Sequence, residues 1–254
     1  MQQFFTDPSG IRDGRIYIEG QDVSHMKNVL RMRPGETVKV SNGMGKSYLC
    51  SIEGYEEGRA KLKIEQVFRC DVELPSRILL FQGLPKGDKM EMIIQKAVEL
   101  GAYGVIPFAA KRSVAKLDEK KALKKQVRWQ AIAKGAAEQS GRGIIPEVYS
   151  PVTYAEALRL AGELDILLIP YEQEEGRDRT AEVIGNLQPG QSVGVFIGPE
   201  GGFEEDEVKQ AEKIGAVPVT LGKRILRTET AGLTALSILM YHLEIANHNL
   251  IVKE

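Results

Sequence analysis

Cysteine, histidine and long apolar runs are scarce in this chain, and each scarcity excludes a class of protein. Cys50 and Cys70 are the two cysteines and lack CxxC spacing, so we expect core thiols rather than a disulfide framework or a zinc site. The three histidines lie without ligand spacing, and we expect no metal. Apolar runs such as residues 166–169 are too short to cross a bilayer, and the polar start resembles no secretory signal. We therefore expect a cytoplasmic protein with no membrane partner.

Charge is balanced overall, at a formal −1, but it is unevenly distributed along the chain. Ten basic residues face three acidic ones between Lys111 and Arg142, whereas thirteen acidic residues face four basic ones between Glu163 and Lys213. A protein that binds nucleic acid needs a basic patch rather than a basic total, so the first stretch is a candidate patch. A solvated helix face rich in lysine explains the same stretch equally well.

Two kinds of secondary-structure pattern divide the chain. Up to about residue 70, short alternating segments separated by glycines predict a small β-barrel, with strands in RIYIEG, ETVKVSNG, SYLCSIEGY and AKLKIEQVF and a short helix in DVSHMKNVLRMRPG. Beyond it, strands alternate with helices, which predicts an α/β fold with a largely parallel sheet covered by helices. We therefore expect two domains, residues 1–72 and 73–254.

The predicted elements of the second domain are well marked. A helical stripe of apolar residues runs through KGDKMEMIIQKAVELGA, and Gly101 is placed to end that helix. The other predicted helices are residues 119–140, YAEALRLAG, EDEVKQAEKIG and the strongly apolar TAGLTALSILMYHLEIA. The predicted strands are ILLFQGL, GVIPFAA, DILLIP, SVGVFIG and VPVTLG.

Three of these strands end in unusual loops, LLIPYE, FIGPEGG and TLGKRILRTETAG. In parallel sheets, ligands bind beyond the carboxyl ends of the strands. Glycine lets a ligand approach the main chain closely, so Gly198, Gly201, Gly202 and Gly222 are candidates for a ligand cradle, although each one singly fits an ordinary turn.

The type of ligand is restricted by charge. The glycines match neither GxGxxG nor a triphosphate loop. The helix after FIGPEGG begins with four acidic residues, which favour its dipole but would repel a polyphosphate. ATP and dinucleotides are therefore disfavoured, and a neutral or cationic ligand is left open.

The sequence IGPEGGF, followed about twenty residues later by LGKRILRTETA, closely resembles the RsmE family of 16S ribosomal RNA uridine-N3 methyltransferases, of the SPOUT superfamily. The segments HMKNVLRMRPG, LPKGDKMEMIIQKAVELG, KRS, the pair Arg128–Trp129 and AAEQSGR occur in the family's order, so the resemblance covers nearly the whole chain. One departure is Gln3, since the family often has a basic residue ahead of its first aromatic pair.

This resemblance implies a C-terminal SPOUT domain with a deep trefoil knot, an N-terminal PUA-like RNA-binding barrel and a homodimer. It also implies S-adenosyl-L-methionine as cofactor and methylation of one uridine, position 1498 in the family, in 16S ribosomal RNA on the small subunit. Carried over by position, the expected cofactor contacts are Leu168, Ile169, Pro170, Ile197, Gly198, Pro199, Glu200, Gly201, Leu221, Gly222, Ile225, Leu226, Arg227, Thr228, Thr230 and Ala231.

Methylation at N3 requires removal of an imide proton and stabilisation of the charge that develops. Arg227 is the candidate for the stabilising cation, with an internal salt bridge as the alternative role. Glu138 and Glu229 are candidates for the proton acceptor, although Glu138 could instead orient Arg142.

Contacts with RNA phosphates are expected from basic residues on both domains. The candidates are Arg31 and Arg33 on the small domain, and Lys111, Arg112, Lys124, Arg128 and Arg142 on the large one. Trp129 fits a core position or a stacking platform equally well.

Three other functions compete with this interpretation. The first is a knotted RNA methyltransferase that acts on another base or on a ribose 2′-hydroxyl. The second is an RNA-binding ribosome assembly factor without catalysis, which should bind no S-adenosylmethionine. A dinucleotide-dependent oxidoreductase is the third.

Overall fold

The computed structural model describes residues 1–113, 119–172 and 177–246. The chain folds as two compact units, one made of Met1–Glu73 and Ala137–Ile145, the other of Leu74–Ala136 and Pro146–Glu254. Each unit has its own sheet. The domain limits 1–72 and 73–254 stay a prediction, and the structure groups residues 137–145 with the first unit.

The first unit is built on a six-stranded sheet in the order β1-β4-β5-β6-β3-β2. Its strands are β1 Gln3–Phe5, β2 Ile11–Arg12, β3 Arg15–Ile18, β4 Thr37–Ser41, β5 Lys46–Glu56 and β6 Arg59–Arg69. β1 pairs with β4 in parallel, and the other ladders are antiparallel. The turn between β5 and β6 holds Glu57 and Gly58 at φ 49° and 76°, the left-handed conformations that a two-residue hairpin requires.

The core of this unit comes from the alternation seen in the sequence. Inward-facing residues of the strands form one apolar cluster with Met26, which comes from the short helix α1 Gln21–Ser24 and its π-helical continuation His25–Val29. Cys50 lies in that cluster, and burial raises the pKa of its thiol to about 12. Both cysteines are free and buried, as predicted.

The second unit contains a seven-stranded sheet whose ladders are all parallel, in the order β10-β8-β7-β12-β11-β13, with β9 paired to β8. Its strands are β7 Arg77–Gly83, β8 Gly104–Ala109, β9 Glu147–Val148, β10 Val152–Thr153, β11 Ile166–Pro170, β12 Ser192–Ile197 and β13 Ala216–Val219. Its helices are α2 Lys89–Glu99, α3 Glu119–Gln139, α4 Tyr154–Ala161, α5 Arg177–Gly185, α6 Glu205–Lys213 and α7 Thr228–Tyr241, which continues as a π-helical turn, His242–Ala246.

Helices cover this sheet because its central strands are apolar on both faces. The predicted stripe of α2 is buried, and Gly101 follows that helix with φ 87°, the conformation expected for a helix-ending glycine. Trp129 of α3 is 3% exposed and is therefore a core residue rather than a stacking platform. Helix α5 was not expected from the sequence.

Within the three described ranges, no helix combines the length and hydropathy that a membrane span requires. The same ranges hold no group of three or more His, Cys, Asp and Glu side chains arranged for a metal ion. The trefoil knot stays a prediction.

Candidate active site

The three loops singled out in the sequence leave one edge of the parallel sheet side by side. β11 pairs with both β12 and β13, so the strands that precede the loops are neighbours. Pro170 at the end of β11 pairs with Val219 at the end of β13. A cavity of about 640 Å³ lies between the loops, where the carboxyl ends of parallel strands are expected to hold a ligand.

Most of the residues expected to contact a cofactor line this cavity. Leu168 and Ile169 do not, because they are buried in β11, and Thr230 lies on an exposed part of α7. Their contact with a cofactor stays a prediction. The lining residues among the expected set are Pro170, Ile197, Gly198, Pro199, Glu200, Gly201, Leu221, Gly222, Ile225, Leu226, Arg227, Thr228 and Ala231.

Close packing in the second loop favours glycine. A Cβ atom added to Gly198 would lie 3.1 Å from the carbonyl carbon of Gly202, and one added to Gly201 would lie 3.0 Å from Cβ of Arg112. In the third loop, Gly222 has φ 108°, a conformation that side chains disfavour. Glycine therefore lets these loops pack closely against their own chain and against Arg112, and the ligand cradle stays a prediction.

The acidic residues that follow Gly202 have partners of opposite charge. The Arg112 guanidinium donates to Glu204 Oε1 at 2.7 Å and to the Gly201 carbonyl at 2.7 Å. Lys111 pairs with Asp206 in the same way. The hydrogen bond from Arg112 lowers the pKa of Glu204, and the one from Lys111 lowers the pKa of Asp206. These pairs hold the loop after β8 against the start of α6.

Glu207 completes this attachment from inside the protein. It is 0% exposed, and its carboxylate accepts from the backbone N–H groups of Glu204 and Lys111, each at 2.9 Å. The acidic run at the start of α6 therefore stabilises the helix and also fixes the chain at both sides of the glycine loop.

Lys89 is a cavity residue that the sequence analysis did not single out. Its Nζ lies 3.0 Å from Glu200 Oε1 and 3.3 Å from Glu229 Oε2. The hydrogen bond to Glu200 raises the pKa of Lys89. Burial raises the pKa of Glu200, but hydrogen bonds from its own backbone N–H, from Lys89 and from the Lys86 N–H outweigh it, and the pKa is lowered overall. The sequence signal that could have pointed to Lys89 is the segment KGDK, residues 86–89, which leads into α2.

Arg227 lines the cavity and lies immediately before α7. It is exposed, and its side chain makes no ion pair within the described part of the chain. The alternative role in an internal salt bridge is therefore not observed there. Of the two proton-acceptor candidates, Glu229 contacts Lys89 and is 15% exposed, whereas Glu138 belongs to the first unit and does not line the cavity.

The expected RNA contacts differ in how accessible their charges are. Arg31 and Arg33 are exposed, and between them the Met32 carbonyl accepts a hydrogen bond from the Tyr55 hydroxyl at 3.0 Å. Lys124 on α3 is exposed too. Arg128 is exposed but pairs with Glu91 at 2.8 Å.

The structure contradicts the expectation that Arg142 contacts an RNA phosphate. It is 3% exposed, and its guanidinium donates to both carboxylate oxygens of Glu73 at 2.6–2.9 Å. Its carbonyl accepts from the Gln3 side chain at 2.6 Å. A buried, paired guanidinium is not available to a phosphate, so Arg142 and Gln3 instead attach residues 137–145 to the rest of the first unit.

Comparison with known proteins agrees with this architecture. A family model described as the RNA methyltransferase domain matches residues 72–240, and one described as the RNA methyltransferase PUA domain matches residues 18–65. A ribosomal RNA small subunit methyltransferase E of Bacillus subtilis is 39% identical over 231 residues, which is 90% of this chain and 90% of that protein.

Two solved structures were determined with S-adenosylmethionine bound. A methyltransferase of Legionella pneumophila is 34% identical, with a TM-score of 0.83 over 93% of this chain and 96% of that one. A ribosomal RNA small subunit methyltransferase E of Neisseria gonorrhoeae is 33% identical, with a TM-score of 0.81 over 98% of each chain. With a matching catalytic domain, a matching PUA domain and these relatives, the chain belongs to the ribosomal RNA small subunit methyltransferase E family.

Proposed function

We propose that this chain transfers a methyl group from S-adenosyl-L-methionine to N3 of one uridine of 16S ribosomal RNA, position 1498 in the family, on the small ribosomal subunit. The observation that carries the proposal is the glycine-rich cavity of about 640 Å³ at the carboxyl ends of β11, β12 and β13. Two relatives that share the fold were solved with S-adenosylmethionine bound, and the names of the Neisseria gonorrhoeae and Bacillus subtilis relatives describe methylation of small-subunit ribosomal RNA.

The cavity has the size of a small-molecule site, because its volume lies within the roughly 300–1,000 Å³ of such sites. Its wall carries charges of both signs, with the carboxylates Glu172, Glu200, Glu204 and Glu205 and the cations Lys89, Arg112, Lys223, Arg224 and Arg227. Glu200 and Glu204 are paired with Lys89 and Arg112, so the case for S-adenosylmethionine comes from the relatives that bind it and not from the charge of the wall. Ile225 is 81% exposed, and contact with an adenine face would cover this large apolar side chain.

Catalysis at N3 places negative charge on the uracil ring when the imide proton leaves. S-adenosylmethionine supplies an electrophilic methyl group when bound. The Arg227 guanidinium lies at the cavity without a side-chain partner among the described residues, so it is available to stabilise charge on the base. We therefore assign Arg227 the role of electrostatic catalyst.

The proton acceptor that we favour is Glu229 rather than Glu138. A general base must come within hydrogen-bond reach of the proton that it accepts. Glu229 belongs to the cluster with Lys89 and Glu200, both of which line the cavity. Glu138 is not among the residues that line the cavity.

Access to N3 requires an exposed base, because this atom lies on the Watson–Crick edge of uridine. Arg31, Arg33 and Lys124 are exposed cations without side-chain ion pairs in the described ranges, which suits contact with phosphates. Lys111, Arg112 and Arg128 would have to exchange a carboxylate for a phosphate. Replacing any one phosphate-binding cation by alanine should weaken binding to every sequence and reduce the salt slope by about 1.

We also expect a homodimer and a cytoplasmic location. One face of α7 carries Leu233, Ile238 and Tyr241 around a shallow, mostly apolar depression, and Tyr241 is 58% exposed. An exposed apolar patch on a helix is typical of a protein interface. A second copy of this chain is the occupant that the homodimer expectation assigns to it.

The direct test is to map the product. Unmethylated small-subunit RNA, both free and in assembled subunits, is incubated with the protein and S-adenosylmethionine, digested to nucleosides and analysed by mass spectrometry. We expect N3-methyluridine at one position, formed about 100-fold or more slowly by the Arg227→Ala variant.

Other results would overturn the proposal in distinct ways. A 2′-O-methylated nucleoside would identify the chain as a ribose methyltransferase. RNA binding without any methylated nucleoside would favour an assembly factor. Product from free RNA but not from assembled subunits would overturn the proposal that the small subunit is the substrate.

A further inference from the structure

Gln82, at the end of β7, makes hydrogen bonds that reach the cavity wall from inside the protein. The side chain is 0% exposed. Its Nε2 donates to the Gly83 carbonyl at 3.0 Å and to the Thr228 hydroxyl at 2.8 Å. An amide oxygen in that position would face the carbonyl oxygen of Gly83, so the hydrogen-bond pattern identifies this end of the amide as the nitrogen.

Thr228 extends this hydrogen bond to the glycine loop. Its hydroxyl, on a residue that is 5% exposed, donates to the Gly198 carbonyl at 2.6 Å. A hydroxyl has one hydrogen, so a threonine that accepts from Gln82 directs that hydrogen toward Gly198. The result is a relay with a fixed direction, from Gln82 through Thr228 to Gly198.

Gly83, the neighbour of Gln82, contacts the same part of the loop. A Cβ atom added to Gly83 would lie 2.7 Å from the nitrogen of Pro199 and 3.0 Å from the carbonyl carbon of Gly198. The Gly198–Pro199 peptide therefore lies directly against the main chain at the end of β7. The relay holds the carbonyl of Gly198, and Gly83, which has no side chain, leaves room for the nitrogen of Pro199.

The oxygen of the Gln82 amide shows that packing alone does not explain why a glutamine occupies this position. Its Oε1 is buried and has no hydrogen-bond partner among the residues that the structure describes. An unpaired buried acceptor destabilises a fold, and a methionine of similar length would avoid that penalty. The donating end of the amide is thus the useful one.

We infer that Gln82 is a positioning residue, which fixes the Gly198–Pro199 peptide so that the glycine loop is already arranged for the cofactor. The inference rests on the proposed function, because Gly198 and Pro199 line the cavity assigned to S-adenosylmethionine. A loop held in its binding conformation does not have to be ordered when the ligand binds, and this raises affinity.

Calorimetric titration of S-adenosylmethionine into the full-length protein tests this role. Gln82→Met should weaken binding about tenfold, as expected for the removal of one hydrogen bond, and Thr228→Val should do the same. Thr228→Ser keeps the hydroxyl and should restore nearly wild-type affinity. Because both residues act through one relay, the double variant Gln82→Met/Thr228→Val should lose no more than either single variant.

Gln130→Met is the matched control. Gln130 also bonds backbone groups through its side chain, accepting from the Val148 N–H at 2.8 Å and donating to the Pro146 carbonyl at 3.1 Å, but it does not line the cavity. Its variant should lower the melting temperature and leave the affinity unchanged. A loss of affinity in Gln130→Met equal to that in Gln82→Met would reassign Gln82 to general stability.

Failure of the inference can be told apart from failure of the proposed function. If the wild-type protein does not bind S-adenosylmethionine, the proposed function fails and this inference fails with it. If the wild type binds but Gln82→Met binds equally well, or if the two losses add in the double variant, only the positioning role is wrong. Should Gln82→Met not fold, Gln82→Leu is titrated in its place, because it also removes the donor and Gln82 does not line the cavity.

Discussion

Replacing Gly83 by alanine should displace the glycine loop from the end of β7. The added Cβ would lie 2.7 Å from the Pro199 nitrogen and 2.8 Å from its Cδ, about 0.7 Å short of the 3.4 Å at which ordinary contact begins. The opposing atoms belong to a peptide and a proline ring, so no side-chain rotation relieves the overlap. The Gly198–Pro199 peptide must move, although the relay through Thr228 resists that movement.

The magnitude follows from the size of this overlap. Overpacking of this kind costs about 1–3 kcal/mol of stability, and each kcal/mol lowers the melting temperature of a domain of this size by about 2–4 °C. Displacement of the loop should also weaken binding of S-adenosylmethionine about tenfold or more, since about 1.4 kcal/mol corresponds to that factor. Thermal unfolding without cofactor and calorimetric titration measure the two effects separately.

Gly135→Ala is the matched control for this experiment. Gly135 is exposed in α3, and an added Cβ would meet nothing within 4 Å. Alanine there should stabilise the protein by about 0.5–1 kcal/mol through its helix propensity and leave cofactor affinity unchanged. A Gly83→Ala protein that melts and binds like the wild type would refute the close contact between β7 and the loop.

Three further predictions concern charge and assembly. Arg227→Ala should lower turnover by about 100-fold or more with little change in cofactor affinity, and equal losses in both would make the residue structural. Because Arg112 lowers the pKa of Glu204, their pair stabilises the fold above the ordinary carboxyl pKa, and this contribution disappears as pH falls through the lowered value. The melting temperature of Arg112→Ala should therefore fall below that of the wild type at pH 7, and the gap should narrow in acid to the part that comes from the bond to the Gly201 carbonyl; a gap independent of pH would contradict the assignment. Light scattering should give twice the 28.1 kDa chain mass for the wild type and for Tyr103→Asp, but a monomer for Tyr241→Asp; a wild-type mass of one chain would exclude the dimer.

The elements with strong local patterns were predictable from the sequence. The stripe of α2 and its closing glycine are set by residues close together in the chain, as is the alternation in β3 to β6. β1 has three residues and pairs in parallel with β4, so its existence depends on a distant partner. Helix α5 carries a polar sequence with little periodic signal, and it was missed for that reason.

The candidate site was also predictable from the sequence only in part. Its glycine loops were recognisable because each follows an apolar strand and contains residues that need unusual backbone freedom. The ion-pair partners of its charged residues could not be predicted, because Lys89 meets Glu229 only after folding. The same holds outside the site for Arg142, which meets Glu73. Gln82 gave no signal at all, since a single polar residue at the end of a strand has no pattern to distinguish it.

Equilibrium dialysis with labelled S-adenosylmethionine, in competition with ATP, tests the central claim most directly. The claim is that the three loops form a site for a phosphate-free methyl donor. We predict saturable binding of one S-adenosylmethionine per chain that an excess of ATP does not displace and that Gly198→Val abolishes. Absence of saturable binding, displacement by ATP, or full binding by Gly198→Val would contradict it.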